Sequence, residues 1–167
     1  WLYDRVTERM AGPPPGDVVL VAIDEASLME IGRWPWPRRV HAELVRRLAA
    51  RGASAIGIDV IFAEADKADP AGDLLLASAI GSAGNVVLPV HFEDIGGLRV
   101  ERGPLPLFAA AVAGLGHVRL IPDVDGRLRR FSLMEAERPS LPAAMLALTG
   151  HGLPETTEVL LPLSRGV

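Results

Sequence analysis

"DVVLVAID", residues 17–24, is an unbroken apolar run between two aspartates, and its reading decides the fold. A run this short and this apolar describes a strand buried on both faces, with Asp24 at its carboxyl end. Outward from it, Pro37 suits the first turn of a helix, along which Val40, Leu44, Val45, Leu48 and Ala49 form one stripe. Arg39, Glu43, Arg46, Arg47 and Arg51 fall mostly off that stripe, and Gly52 stops the helix. "ASAIGIDVIF", residues 53–62, is then a second buried strand. Thirty-five residues separate Asp24 from Asp59, about one strand–helix–strand repeat, so the two carboxylates are expected as neighbours at one sheet edge.

The pattern repeats once more. Asp69 and Pro70 open a helix, Gly84 ends it, and "NVVLPVHF", residues 85–92, is a third strand in which Pro89 argues for an edge position or a bulge. "EDIGGLRVER" is a hairpin excursion, "LPLFAAAVAGLG" a short helix, and "HVRLIPDVDGRLRRFSLME" two strands joined at Asp125-Gly126. "PSLPAAMLALTG" is the last helix. The predicted class is α/β: a mostly parallel central sheet with helices on both faces, extended by a C-terminal antiparallel hairpin.

With 167 residues, 49% of them hydrophobic, the chain can bury one good core. Residues 17–167 are expected as a single domain. A net charge of -4 offers no basic excess to release counterions from a polyanion, which argues against nucleic acid as a partner. Absence of cysteine excludes disulfides, thiolate zinc sites and cysteine nucleophiles together. The longest uncharged run, Leu74 to Phe92, is punctuated by Gly81, Ser82, Gly84, Asn85 and Pro89 and is no membrane span. The start at Trp1, without a signal-peptide pattern, reads as a piece of a longer protein.

In sheets of this class ligands sit outside the carboxyl ends of the strands, which nominates Asp24, Asp59, Phe62 and His91. Two carboxylates there could hold Mg²⁺, with Asp24 as a phosphoryl-accepting nucleophile, giving a phosphohydrolase. Equally, Asp24 could cap the helix beginning "EASLMEIG" while Asp59 pairs with an arginine such as Arg38. Pro35 and Pro37 disfavour helix at Trp34 and Trp36, so both rings are presented from an extended segment over the strand edge, Trp36 as a core lid and Trp34 facing the pocket. Other chemistry lacks its residues. The four histidines show no paired spacing for zinc, "PDVDG" lacks the ligands of a calcium loop, and "AIDEAS" has no glycine for a phosphate loop. No cofactor and no catalytic residue is assigned.

The segment from residue 18 to 64, "VVLVAIDEASLMEIGRWPWPRRVHAELVRRLAARGASAIGIDVIFAE", resembles the opening of the type 2 CHASE domain, a cyclase/histidine-kinase-associated sensory extracellular domain. "GNVVLPV", "LPLFAAAVAGLGHVRLIPDVDGRLRRFSL" and "PSLPAAMLAL" continue the resemblance to about residue 149. It implies a non-catalytic periplasmic sensor in a bacterial membrane receptor. Flanking transmembrane helices would tether it, with residues 1–16 as the juxtamembrane helix and linker, and a cyclase, histidine kinase or cyclic-di-GMP module would be its output. The expected partners are a small-molecule or periplasmic protein signal and a second receptor copy. No ligand is carried over by the resemblance, so Asp24, Trp34, Trp36, Arg38, Asp59, Phe62 and His91 stand as candidate binding residues on their own positions.

Overall fold

The computed structural model describes residues 16–128, 130–152 and 157–160. The expected juxtamembrane helix lies outside the described residues, as does Arg129. The elements are α1 (Glu25–Ile31), α2 (Arg38–Ala50), β1 (Ile56–Gly57), α3 (Pro70–Ala83), β2 (Val86–Ile95), β3 (Leu98–Arg102), α4 (Pro106–Ala109), β4 (Gly114–His117), β5 (Arg130–Ser132), β6 (Met134–Glu135), β7 (Arg138–Pro139), α5 (Leu141–Leu148) and β8 (Glu158–Leu160).

The ten-residue β2 organises the sheet. Val87 pairs with Gly57 of β1 on one side and Gly114 of β4 on the other, both parallel. The far half of β2 pairs antiparallel with β3 across Gly96-Gly97, whose positive φ values of 58° and 82° suit a tight hairpin turn. Side-chain alternation along β2 then divides the core. Val86 and Leu88 point to Ala42 and Val45 of α2, Leu76, Ala79 and Ile80 of α3, and Phe62 and Phe108. Val87 packs on the opposite face against Leu141 and Ala144 of α5. Helices therefore cover both faces, as the continuous apolar reading of β2 requires.

Local signals set the helix ends. Asp69 caps α3 by accepting from the Gly72 amide at 3.2 Å, Pro70 fills the first turn, and Gly84 closes the helix in a left-handed conformation, φ 69°. Glu43 pairs with Arg46 and Arg47 along the outer face of α2, at 3.1 and 2.7 Å.

Several expectations are corrected. Residues 17–24 form no strand; they are irregular and exposed, and helix α1 follows at once because Asp24 and Ser27 build a reciprocal capping box. Of "ASAIGIDVIF" only Ile56 and Gly57 are regular strand. Pro89 explains where that ladder stops. Ile58 donates to the Val87 carbonyl, so Pro89, two residues further along the same side of β2, would have to donate next and has no N–H. Pro89 is nonetheless fully buried in the central strand, paired with Gly116, and is neither on an edge strand nor at a bulge. The antiparallel extension is β3, not the C-terminal hairpin. The Asp125-Gly126 turn forms, with the Asp123 amide on the Arg127 carbonyl, but β5 beyond it pairs with β8 in a separate two-stranded sheet.

Two glycines permit close approach between sheet and α5. A Cβ on Gly116 would lie 2.5 Å from the Leu141 Cα and 2.8 Å from the Ser140 carbonyl carbon, whereas one on Gly57 would meet the Met145 Sδ at 2.2 Å. Backbone cannot step aside, but a methionine side chain can. Gly116→Ala is expected to destabilise by about 1–3 kcal/mol and Gly57→Ala by less than about 1 kcal/mol; paired chemical denaturation curves check the ranking.

Candidate functional site

Four of the nominated residues come together, and they do so around a histidine. Trp36 is 8% exposed, and its indole Nε1–H donates to the Gly32 carbonyl at 2.8 Å, which folds the loop back over α2. Trp34, joined to Pro35 by a cis peptide bond, is 42% exposed and meets Trp36 edge to face, with ring centroids 5.7 Å apart. Both indoles lean on His41 of α2, at 5.7 Å from Trp34 and 6.3 Å from Trp36. His41 stands edge-on to Phe62 at 5.2 Å, and Phe62 continues to Phe108 at 5.5 Å. The result is one aromatic ladder from the surface to the centre of the core.

Arg38 closes one side. Its guanidinium lies 4.6 Å from the Phe62 ring centroid, donates from Nε to Asp73 Oδ1 at 3.1 Å, and reaches the Glu64 carbonyl at 2.9 Å. Asp73, nearly buried on α3, also accepts from the Asp66 amide through its other oxygen at 2.9 Å. Next to this pair Arg39 grips Asp69, the cap of α3, so the last two arginines of the R-W-P-W-P-R-R stretch tie α2 to α3. The partner of Arg38 is therefore Asp73 rather than either strand-end aspartate, a correction.

Asp24, Asp59 and His91 lie outside this group. Asp24 is exposed, and its carboxylate is held below the usual aspartate range, chiefly by the Ser27 amide and then by the Ser27 hydroxyl. Asp59 is exposed and has no side-chain partner among the described residues. His91 sits on β2, where its Nε2 meets Glu93 at 3.0 Å, and Arg102 of β3 meets the same carboxylate at 3.2 Å. No group of three or more potential metal ligands occurs among the described residues, and Asp24 and Asp59 do not occupy neighbouring strand ends. The phosphohydrolase arrangement is not assembled.

The family model described as "CHASE2 domain" matches residues 1–164. The chain belongs to the CHASE2 family. No curated protein and no solved structure matches it. CHASE2 domains are extracellular sensory domains of bacterial signalling receptors, and this one has that role. Among the described residues of this CHASE2 domain, no helix is long and apolar enough to cross a membrane.

Sequence reasoning passed over His41 and Asp73. The signal for His41 was present: with Val45 and Leu48 it falls at i, i+4 and i+7, on the apolar stripe of α2. Burial makes this histidine a poor base. Its Nε2 is buried without a hydrogen-bond partner, and desolvation first, then the Arg38 charge, push its pKa below the ordinary 6.5. His117 of β4 behaves alike. Its Nδ1 accepts from the Arg119 amide at 3.3 Å, its Nε2 is buried and unpartnered, and desolvation outweighs the opposing pull of Glu135 to lower its pKa.

Both shifts have one sign. The unfolded chain takes up protons near pH 6.5 while the folded domain resists them, so the stability these neutral rings contribute is complete above 6.5 and is lost as pH falls toward the folded values. Melting temperature is expected to drop between pH 6.5 and 4.5, above the range where the paired carboxylates titrate. A His41→Phe variant should show a flatter profile there; an unchanged slope would assign the effect elsewhere.

Proposed function

We propose that this CHASE2 domain is the periplasmic input module of a bacterial inner-membrane receptor, tethered by transmembrane helices on either side and acting as a homodimer. It catalyses nothing itself; the output is a nucleotide cyclase, a histidine kinase or a cyclic-di-GMP module. The signal, a small periplasmic solute or protein, is received at Trp34, with Arg38 and His41 behind it. One observation carries this reading: the half-exposed Trp34 is the outermost rung of a continuous aromatic ladder, edge to face through His41 to Phe62 and on to Phe108.

A ligand that stacks on Trp34 in one arrangement of the loop and not in another shifts the population of α2, because only unequal affinity for two states moves an equilibrium. Helix α2 carries Arg38 and Arg39, which hold α3, so a displaced Trp34 is felt across both helices of that face. Calorimetric titration with panels of amino acids, sugars and dicarboxylates tests this. A solute that binds the parent domain and loses affinity in Trp34→Ala supports it. Indifference to every solute, together with unchanged receptor output on deleting the domain, overturns it.

A further inference from the structure

Val18, Val19, Leu20, Val21 and Ile23 are 71%, 80%, 89%, 53% and 44% exposed, on a segment without regular structure that pairs with no strand among the described residues. Proteins that act alone rarely leave so contiguous an apolar stretch in water. The molecule also has an open parallel edge. Ile56 and Ile58 turn their amides to Asn85 and Val87, at 3.0 and 3.1 Å, so the backbone groups of Gly57 and Asp59 face away from β2. No described residue forms a backbone hydrogen bond with them. An unpaired edge of this kind is a template for another strand.

We infer that edge and segment meet between two copies: residues 18–23 of one chain add as a parallel strand beside residues 56–60 of the other, and reciprocally, making a strand-exchanged homodimer. The chemistry of the segment matches the place. A strand entering beside β1 lies between the α2–α3 layer on one face and α5, whose Met145 covers Gly57, on the other. Only a strand apolar on both faces fits there, and residues 18–23 are apolar on both. The exchange is favoured over insertion into the same chain because the segment stays off its own β1 edge, while Asp24 starts α1 directly after it and the Trp36–Gly32 hydrogen bond and the Trp36–His41 contact hold the chain beyond α1. Two segments and two edges covered together bury on the order of 1,500 Å², the size class of stable specific interfaces. The two-fold contact is self-complementary and closes.

This deepens the homodimeric reading above and is read separately from ligand binding at Trp34. Sedimentation of the 167-residue chain is expected to show a dimer. Leu20→Pro, which removes an amide that the added strand would donate to the Gly57 carbonyl, should return it to monomer with its helical circular dichroism intact. The chain contains no cysteine, so engineered thiols report cleanly. Mixed Val21→Cys and Asp59→Cys chains, treated with a short bismaleimide, should yield chiefly the mixed cross-linked pair. A monomer at every concentration, a dimer that survives Leu20→Pro, or a Val21→Cys/Asp59→Cys double variant that links only within one chain overturns the exchange.

Discussion

Trp36→Ala is expected to cost about 3–5 kcal/mol of unfolding free energy, and Trp34→Ala about 1–2 kcal/mol. The indoles are two residues apart in sequence but do different physical work. Trp36 is 8% exposed, its Nε1–H is satisfied by Gly32, and its ring covers His41, so truncation opens a cavity over the core and frees a carbonyl. At about 25 cal/mol per Å² over roughly 150–250 Å², burying such a ring is worth about 4–6 kcal/mol as an upper bound, which sets the scale. Trp34 is 42% exposed and contributes through its edge-to-face contacts with Trp36 and His41. Denaturant titration of the two variants reads the difference directly. Equal, large losses would make both rings structural and remove Trp34 as a receiving surface.

That division was legible in the sequence as an expectation, Trp36 as the core lid and Trp34 as the outward ring, on a segment that the proline after each tryptophan keeps out of a helix. The burial pattern of β2 and the caps of α3 were legible, since Asp69, Pro70, Gly84 and an uninterrupted apolar run each act within a few residues. The first strand was not. "DVVLVAID" has the composition of a buried strand, but whether it becomes one depends on a partner edge distant in sequence, whereas the helix that Asp24 caps directly after it was legible as one of the two readings of that residue. The same reasoning applies to Asp59. Its position at a strand end presumed that β1 runs through residue 59, and Pro89, thirty residues away on the neighbouring strand, ends that ladder early. Arg38 was picked out correctly as a pairing residue and given the wrong partner, because Asp73 enters the site only through the packing of α2 on α3.

Asp73→Ala is expected to destabilise the domain by about 3–5 kcal/mol, as removal of one partner of a buried ion pair does. The Asp73 side chain is 7% exposed and that of Arg38 15%, so neither charge can turn readily to water when the other is gone. The loss is threefold: the Arg38 guanidinium is left over the Phe62 face without its counter-charge, the Asp66 amide loses its acceptor, and the turn leading into α3 loosens. An ion pair of this kind specifies how α2 sits on α3 more than it adds stability, and the cost of breaking it is mainly the stranded charge. Replacing both members by apolar groups should therefore recover much of the loss. Arg38→Met combined with Asp73→Leu is expected to cost at least about 1.5 kcal/mol less than the sum of the two single variants. Additivity within about 0.5 kcal/mol in the double-mutant cycle would show that the charges are not coupled, and would leave the cation–aromatic contact and the Glu64 carbonyl as what holds Arg38 at the foot of the ladder.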